Sequence, residues 1–333
     1  MQKDGPSEAG PFHELEAEMR GAVAFALAIS ASVLVLGPAS AQRAPTTGSA
    51  STAAPVAAPA PTDIPALIPA QNTPAPKCTN PNALGVSRTV EIDTNGGPGF
   101  GFEHFKQHDF LRNNEVLLTF DDGPWPTTPL VLKALADECV RATFFSIGKH
   151  ATYYPEILKQ VIEGGHTVGS HTWSHADLSR KSTEEAKEEI EKGISAVSMA
   201  VGPAASPIFR FPALRHPPEA VTYLGQRNVA IWSTDMDSFD FKMRKPEQVV
   251  ASVMAKLKKH GKGIVLMHDF QQPTEHAVAD LLAQLKAGGY KIVHMKTKDS
   301  IATIKQYDDM LIKEQKLPTV SQRPTSSVVR TVE

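Results

Sequence analysis

Asp121 and Asp122, side by side in TFDDGP, are the first residues in this sequence whose types and spacing could do chemistry. A nearby cation lets both carboxylates of such a pair stay ionised, one as a ligand and one as a base. A lone Asp-Asp-Gly-Pro serves equally well as a solvated turn. His171 and His175, in HTWSH, are spaced i, i+4 and can grip one ion through imidazole nitrogens, although such a pair alone is more often structural or surface. Taken together, Asp122, His171 and His175 form a one-carboxylate, two-histidine set with coordination positions left open, which suits a catalytic metal site better than a structural one. Asp121 is then the candidate base for an attacking water, and His268, in LMHD, the candidate acid.

Residues so far apart in the chain need a scaffold that gathers them. Short apolar runs at 116–120, 142–147, 166–170, 208–211, 229–233, 263–267 and 291–294 predict strands. Helical patterns lie between them. Ser182-Thr-Glu-Glu185 reads as a capping box ahead of Ile190, Ile194, Val197 and Val201. Pro246 suits a first turn, and Gly288-Gly289 a helix end. Six or seven such units point to an α/β fold, with a parallel sheet closed into a barrel rather than left open. Directly after the predicted strands come Asp121 and Asp122, His171, Arg210, Asp235 with Asp237, and His268. C-terminal strand ends collect catalytic groups on one face of such folds.

In order along the chain, TFDDGP, HTWSH, Arg210-Phe211-Pro212, the Asp-rich DSFDF at 237–241 and LMH at 266–268 resemble the five motifs of the polysaccharide deacetylases, carbohydrate esterase family four, which include the nodulation-type chitooligosaccharide deacetylases. The resemblance runs from about Val116 to His294. It implies a single catalytic domain folded as a distorted (β/α) barrel with fewer than eight parallel strands, and removal of N-acetyl groups from N-acetylglucosamine-containing glycans. The implied roles are Asp121 as base, Asp122, His171 and His175 as metal ligands, His268 as acid and Arg210 as the group orienting Asp121. The ion implied is divalent, zinc first, with cobalt, nickel or manganese as alternatives. An aspartate of the fourth motif would support His268, and both Asp235 and Asp237 are candidates. Pro212 and Ala213 would line the sugar side, where Ala213 replaces a common aromatic but keeps its backbone N–H. Trp125 and Trp173 either stack on sugar rings or pack in the core. A metal-dependent hydrolase of a small non-sugar amide and a catalytically silent glycan-binding relative are the rival readings.

The 34 Lys+Arg nearly balance the 36 Asp+Glu, without the basic excess a nucleic-acid binder carries. With two cysteines, Cys78 and Cys139, the chain holds at most one bridge, and buried thiols are the alternative. The uncharged run 21–36, preceded by Arg20 and followed by Ala39-Ser40-Ala41, reads as a secretory signal peptide cleaved after Ala41, with Met19 an alternative start. Residues 42–77 form an Ala/Pro-rich linker, 78–310 the catalytic domain and 311–333 a loose tail. Export to the periplasm, cell envelope or medium is expected, as a monomer without a stable membrane span after cleavage.

Overall fold

All seven residues of EVLLTFD are buried, which demands cover on both faces and a neighbour on each edge, the situation of a central strand in a parallel sheet. The computed structural model describes residues 65–69 and 77–316 and supplies both. In chain order the strands are β1 (Ile68–Pro69), β2 (Val86–Ile92), β3 (Gly99–Phe100), β4 (Glu115–Asp121), β5 (Thr143–Ser146), β6 (Thr167–Ser170), β7 (Ala205–Phe209), β8 (Ala230–Trp232), β9 (Met236–Asp237), β10 (Gly263–His268), β11 (Lys291–Thr297) and β12 (Asp299–Ser300). The helices are α1 (Thr128–Asp137), α2 (Gly148–Tyr153), α3 (Pro155–Glu163), α4 (Thr183–Val201), α5 (Pro218–Gln226), α6 (Pro246–His260), α7 (Gln272–Ala287) and α8 (Lys305–Lys316).

From β4 the sheet runs in parallel through β5, β6, β7 and β8. On its other side β4 pairs with β10, and β10 with β9. Because β8 and β9 are consecutive in the chain, the segment 230–237 carries the sheet back to β10 and closes a distorted barrel. Strand alternation then sorts β4: Val116, Leu118 and Phe120 enter the outer core beneath the helices, and Leu117 enters the interior cluster with Phe145, Ile208, Trp232 and Ile264. Thr119 and Asp121 share the inward parity of Leu117. That places a carboxylate at the inner mouth of the barrel, where the strand ends.

Local signals set the helix boundaries. Ser182 accepts from the Glu185 N–H while the Glu185 carboxylate accepts from the Ser182 N–H, so the predicted capping box opens α4. Pro246 is the first residue of α6, and Gly288 ends α7. Each predicted strand is present within a few residues. The run expected at 208–211 is instead Ala205–Phe209, which leaves Arg210 just past the strand end. β2, whose exposure alternates along VSRTVEI, pairs among the described residues only with β11 and was not expected; its interspersed charges hide the apolar period.

The leader predicted over 1–41 lies outside the described residues, as does most of the predicted linker. Within that linker, Ile68 and Pro69 pair antiparallel with Ser300 and Asp299 of β12. The predicted boundary at 310 falls inside a helix: α8 continues to Lys316 with Leu311 buried, so 311–316 are helical rather than loose, and 317–333 lie outside the described residues. No helix among the described residues is long and apolar enough to cross a membrane. Cys78 and Cys139 are joined in a disulfide spanning 61 residues, which ties the entry of β2 to the end of α1. Replacing both by Ser should lower the unfolding free energy by roughly 2–4 kcal/mol, measured by urea denaturation against the oxidised parent. A difference below about 0.5 kcal/mol would show that the bridge constrains nothing.

Candidate active site

The last inward residue of β4 meets a fully buried guanidinium. Arg210 Nη1 donates to Asp121 Oδ1 at 2.7 Å and to Thr119 Oγ1 at 2.8 Å, and Nη2 donates to the Ser233 carbonyl at 2.8 Å. The guanidinium lies 4.3 Å from the centre of the Phe145 ring. Burial pushes the Asp121 carboxyl up, while Arg210, His268 and His175 pull it down. With Oδ1 held by Arg210, Oδ2 is left toward His171 Nε2, 4.0 Å away.

Asp122 adopts a left-handed backbone, φ 75°, so adjacent carboxylates that an extended strand would put on opposite faces converge on one end of the barrel. Its Oδ1 lies 3.5 Å from His171 Nε2 and 3.4 Å from His175 Nε2. The ligand atoms of Asp122, His171 and His175 all fall within 4.8 Å of one another. His171 Nδ1 donates to the Arg210 carbonyl at 2.7 Å, which turns the lone pair of Nε2 toward Asp122. Burial holds His171 well below the ordinary histidine range and therefore neutral. Asp122 Oδ1 is buried and has no hydrogen-bond partner among the described residues. Burial, with Asp121 and Asp240 adding and His268 opposing, pushes its carboxyl up to about 7. A buried, unpartnered carboxylate oxygen facing two neutral imidazoles fits a divalent ion: the 3.4 and 3.5 Å spacings match the edge of a tetrahedron with bonds of about 2.1 Å.

The loop carrying the histidines is clamped from two sides. Gly148 and Lys149, at the start of α2, donate their N–H groups to the carbonyls of Thr172 and Trp173. From α4, Glu189 accepts from the Ser174 N–H and hydroxyl at 2.9 and 2.8 Å. A side chain at Gly193 would place its Cβ 2.5 Å from the Thr172 backbone, so only glycine lets α4 approach this closely. Thr172, a β-branched residue at φ 68°, holds a strained backbone between His171 and His175.

His268 ends β10. The fourth motif supports it with an aspartate that the sequence reading did not choose: His268 Nδ1 bonds Asp240 Oδ1 at 2.7 Å, and Asp240 Oδ2 accepts the His268 N–H at 2.7 Å and the Thr274 hydroxyl at 2.5 Å. Strand register explains this correction. β9 runs beside β10 with Asp237 level with Leu266, two residues short of His268, and the turn after β9 lifts Asp240 to the right height. Asp237 instead accepts the Phe239 N–H at 2.8 Å and shapes that turn. Asp235 accepts the N–H groups of Phe102 and Ile264 at 2.6 and 2.8 Å, tying the loop after β3 to the start of β10. Burial opposes charging of His268, but the Asp240 hydrogen bond and the charges of Asp240, Asp122 and Asp121 prevail and raise it to about 9.

Two further groups position the first motif. Asp269 accepts the Gly123 N–H at 2.9 Å and the Thr128 hydroxyl at 2.6 Å, and a Cβ at Gly123 would lie 2.1 Å from its Oδ2, which explains the Gly of DDGP. His150 Nδ1 donates to the Asp122 carbonyl at 2.6 Å. The only sequence signal for Asp269 is its place after His268, and His150 carries none. Pro212 and Ala213 form the turn after Arg210, with Pro212 buried and Ala213 exposed at φ 51°. Trp125 packs on His150 with ring centres 4.8 Å apart, and Trp173 lies under the ammonium of Lys192 at 4.9 Å. A cavity of about 250 Å³ adjoins Asp122 and His175, walled by Lys149, His150, Tyr153 and Phe270.

Residues 111–231 match the family model described as polysaccharide deacetylase. The chain is 32% identical over 184 residues to a chitooligosaccharide deacetylase of Sinorhizobium fredii, covering 53% of this chain and 85% of that protein. It is 36% identical over 187 residues to the peptidoglycan-N-acetylglucosamine deacetylase PgdA of Listeria monocytogenes, covering 54% of this chain but only 38% of the relative, so it spans well under half of that protein's length. Among solved structures, the peptidoglycan deacetylase Bd3279 of Bdellovibrio bacteriovorus superimposes with a TM-score of 0.59 at 29% identity, over 70% of this chain and 65% of that one.

The His268–Asp240 pair is open to direct measurement. In metal-free protein, His268 should titrate near 9 by NMR, and Asp240→Asn should bring it down toward the ordinary value of about 6.5. Asp237→Asn, by contrast, should leave it near its starting value. Equal effects of the two substitutions would refute the assignment.

Proposed function

Because the chain belongs to the polysaccharide deacetylase family, we propose that it is a metal-dependent hydrolase that removes N-acetyl groups from an N-acetylglucosamine-containing glycan and releases acetate. The observation that carries this reading is the buried, unpartnered Asp122 Oδ1 facing His171 and His175, set between an Asp121–Arg210 pair and a His268–Asp240 pair. A divalent ion held by Asp122, His171 and His175, with zinc the best match to the donor set, would supply a Lewis acid for the acetamide carbonyl.

The chain's own groups account for the proton movements. Arg210 fixes Asp121 through Oδ1, so Oδ2 takes the proton as water attacks the carbonyl carbon. His268, protonated on Nε2 and held through Nδ1 by Asp240, gives its proton to the nitrogen as the carbon–nitrogen bond breaks. Acetate leaves, and a free amine stays on the sugar. The backbone N–H at Ala213 is the proposed oxyanion donor, and Pro212, Trp125 and Trp173 the proposed sugar-side residues. The names of the relatives and the leader-like residues 20–41 support an exported enzyme acting at the cell envelope.

Purified protein should release acetate from chitooligosaccharides or from peptidoglycan. A chelator should abolish release and added zinc restore it; activity that persists after full metal removal would overturn the metal-dependent reading. Asp121→Asn should lower turnover by roughly 10³-fold while one metal ion per chain stays bound, checked by mass spectrometry of the intact protein. Loss of the metal along with activity would instead make Asp121 a ligand.

A further inference from the structure

A second cavity, of about 710 Å³, lies at the opposite end of the strands from the metal triad. Its wall includes Val140 and Arg141, which lead into β5, and Gly164 and His166, which lead into β6, whereas His171 follows the other end of β6. One strand length, roughly 13 Å for four residues, separates the two ends. Its volume falls in the range of small-molecule sites.

The lining mixes apolar side chains, Val86, Leu132 and Val140, with cationic ones, Lys77, Arg88, Lys133 and Arg141; among the described residues it contains no acid. Two of the cations are already engaged, Arg88 with Glu115 and Lys133 with Asp137, each at 2.6 Å. Lys77 and the half-buried Arg141 make no hydrogen bond or ion pair with any described residue. A partly desolvated guanidinium with no counter-charge is an unfavourable arrangement that an anion would relieve.

His166 adds a directed donor. Its Nδ1 accepts the Ala142 N–H at 3.1 Å, which puts the ring proton on Nε2. Any side chain at Gly164 would stand 2.8 Å from that nitrogen, so the glycine leaves this edge of the ring uncovered. The Cys78–Cys139 disulfide lines the same cavity and anchors Lys77 at its rim through the adjacent Cys78.

We propose that this cavity is a second binding site, for a small organic anion, a carboxylate or phosphate ester carried on an apolar chain. The oxyanion would sit between Arg141, Lys77 and the His166 N–H, with the chain along Val86, Leu132 and Val140. Arg141 suits both head groups, because its planar fork can pair two oxygens at once.

Calorimetric titration of the full chain with octanoate, octyl phosphate, octyl glucoside and inorganic phosphate, all below micelle-forming concentrations, separates the contributions. One octanoate or octyl phosphate should bind per chain, and octyl glucoside and inorganic phosphate should each bind at least about tenfold more weakly. Arg141→Gln should weaken octanoate binding by about tenfold, with Arg141→Lys recovering part of it and acetate release unchanged. Lys77→Gln, at an exposed position, gives an independent reading should Arg141→Gln fail to fold. Octyl glucoside binding as tightly as octanoate, inorganic phosphate binding as tightly as octyl phosphate, or unchanged affinity in the folded variants would each overturn the proposal.

Discussion

Arg210 and Asp121 form an ion pair with both partners inside the barrel, and the geometry of the candidate site is built around it. Taking two such charges out of water is expensive, and removing one partner of a buried pair costs about 3–5 kcal/mol because the other is stranded. The barrel meets that demand by bringing three separate strand ends to the guanidinium: Thr119 and Asp121 from β4, the Ser233 carbonyl just beyond β8, and the Phe145 ring from β5. The carbonyl of Arg210 itself then fixes the tautomer of His171. One residue thereby orients the candidate base through its side chain and a candidate metal ligand through its backbone.

The neighbouring Asp122 shows how a single backbone torsion divides the work of two identical side chains. Asp121 completes a strand and points inward, toward a fixed cation. Asp122 turns left-handed and presents an oxygen to two imidazoles with nothing else to bond. The surrounding supports are likewise indirect. Asp269 pins Gly123, His150 holds the Asp122 carbonyl, and α2 and α4 grip the histidine loop. None of these groups needs to touch substrate, but each removes a freedom that a ligand or base would otherwise have to lose on binding.

Much of the candidate site, as a set of polar residues at strand ends, was legible without coordinates, because strand-end positions are one-dimensional. An apolar run that stops at Asp121 or His268 tells where the polar residue must emerge, and five such ends agreeing is a strong pattern. The support of His268 was not legible in the same way. Asp235, Asp237 and Asp240 all follow the same strand, and which one stands level with His268 depends on how β9 registers against β10, a pairing between segments about thirty residues apart. A shift of two residues along that ladder would have favoured a different aspartate. The strand β2 escaped notice for a related reason: an edge strand carrying charges lacks the apolar run by which buried strands are recognised.

By itself, then, the sequence determined the α/β alternation, the polar residues at the strand ends, the helix caps and the donor types available for a metal, since these follow from local periodicity, capping chemistry and side-chain identity. Tertiary structure alone decided that Cys78 meets Cys139, that Asp240 rather than Asp235 or Asp237 holds His268, and that four cations, two of them without a counter-charge among the described residues, gather at the far end of the barrel. Those outcomes depend on strand register, barrel closure and desolvation. All three arise from contacts between residues distant in the chain, where local propensity has no influence.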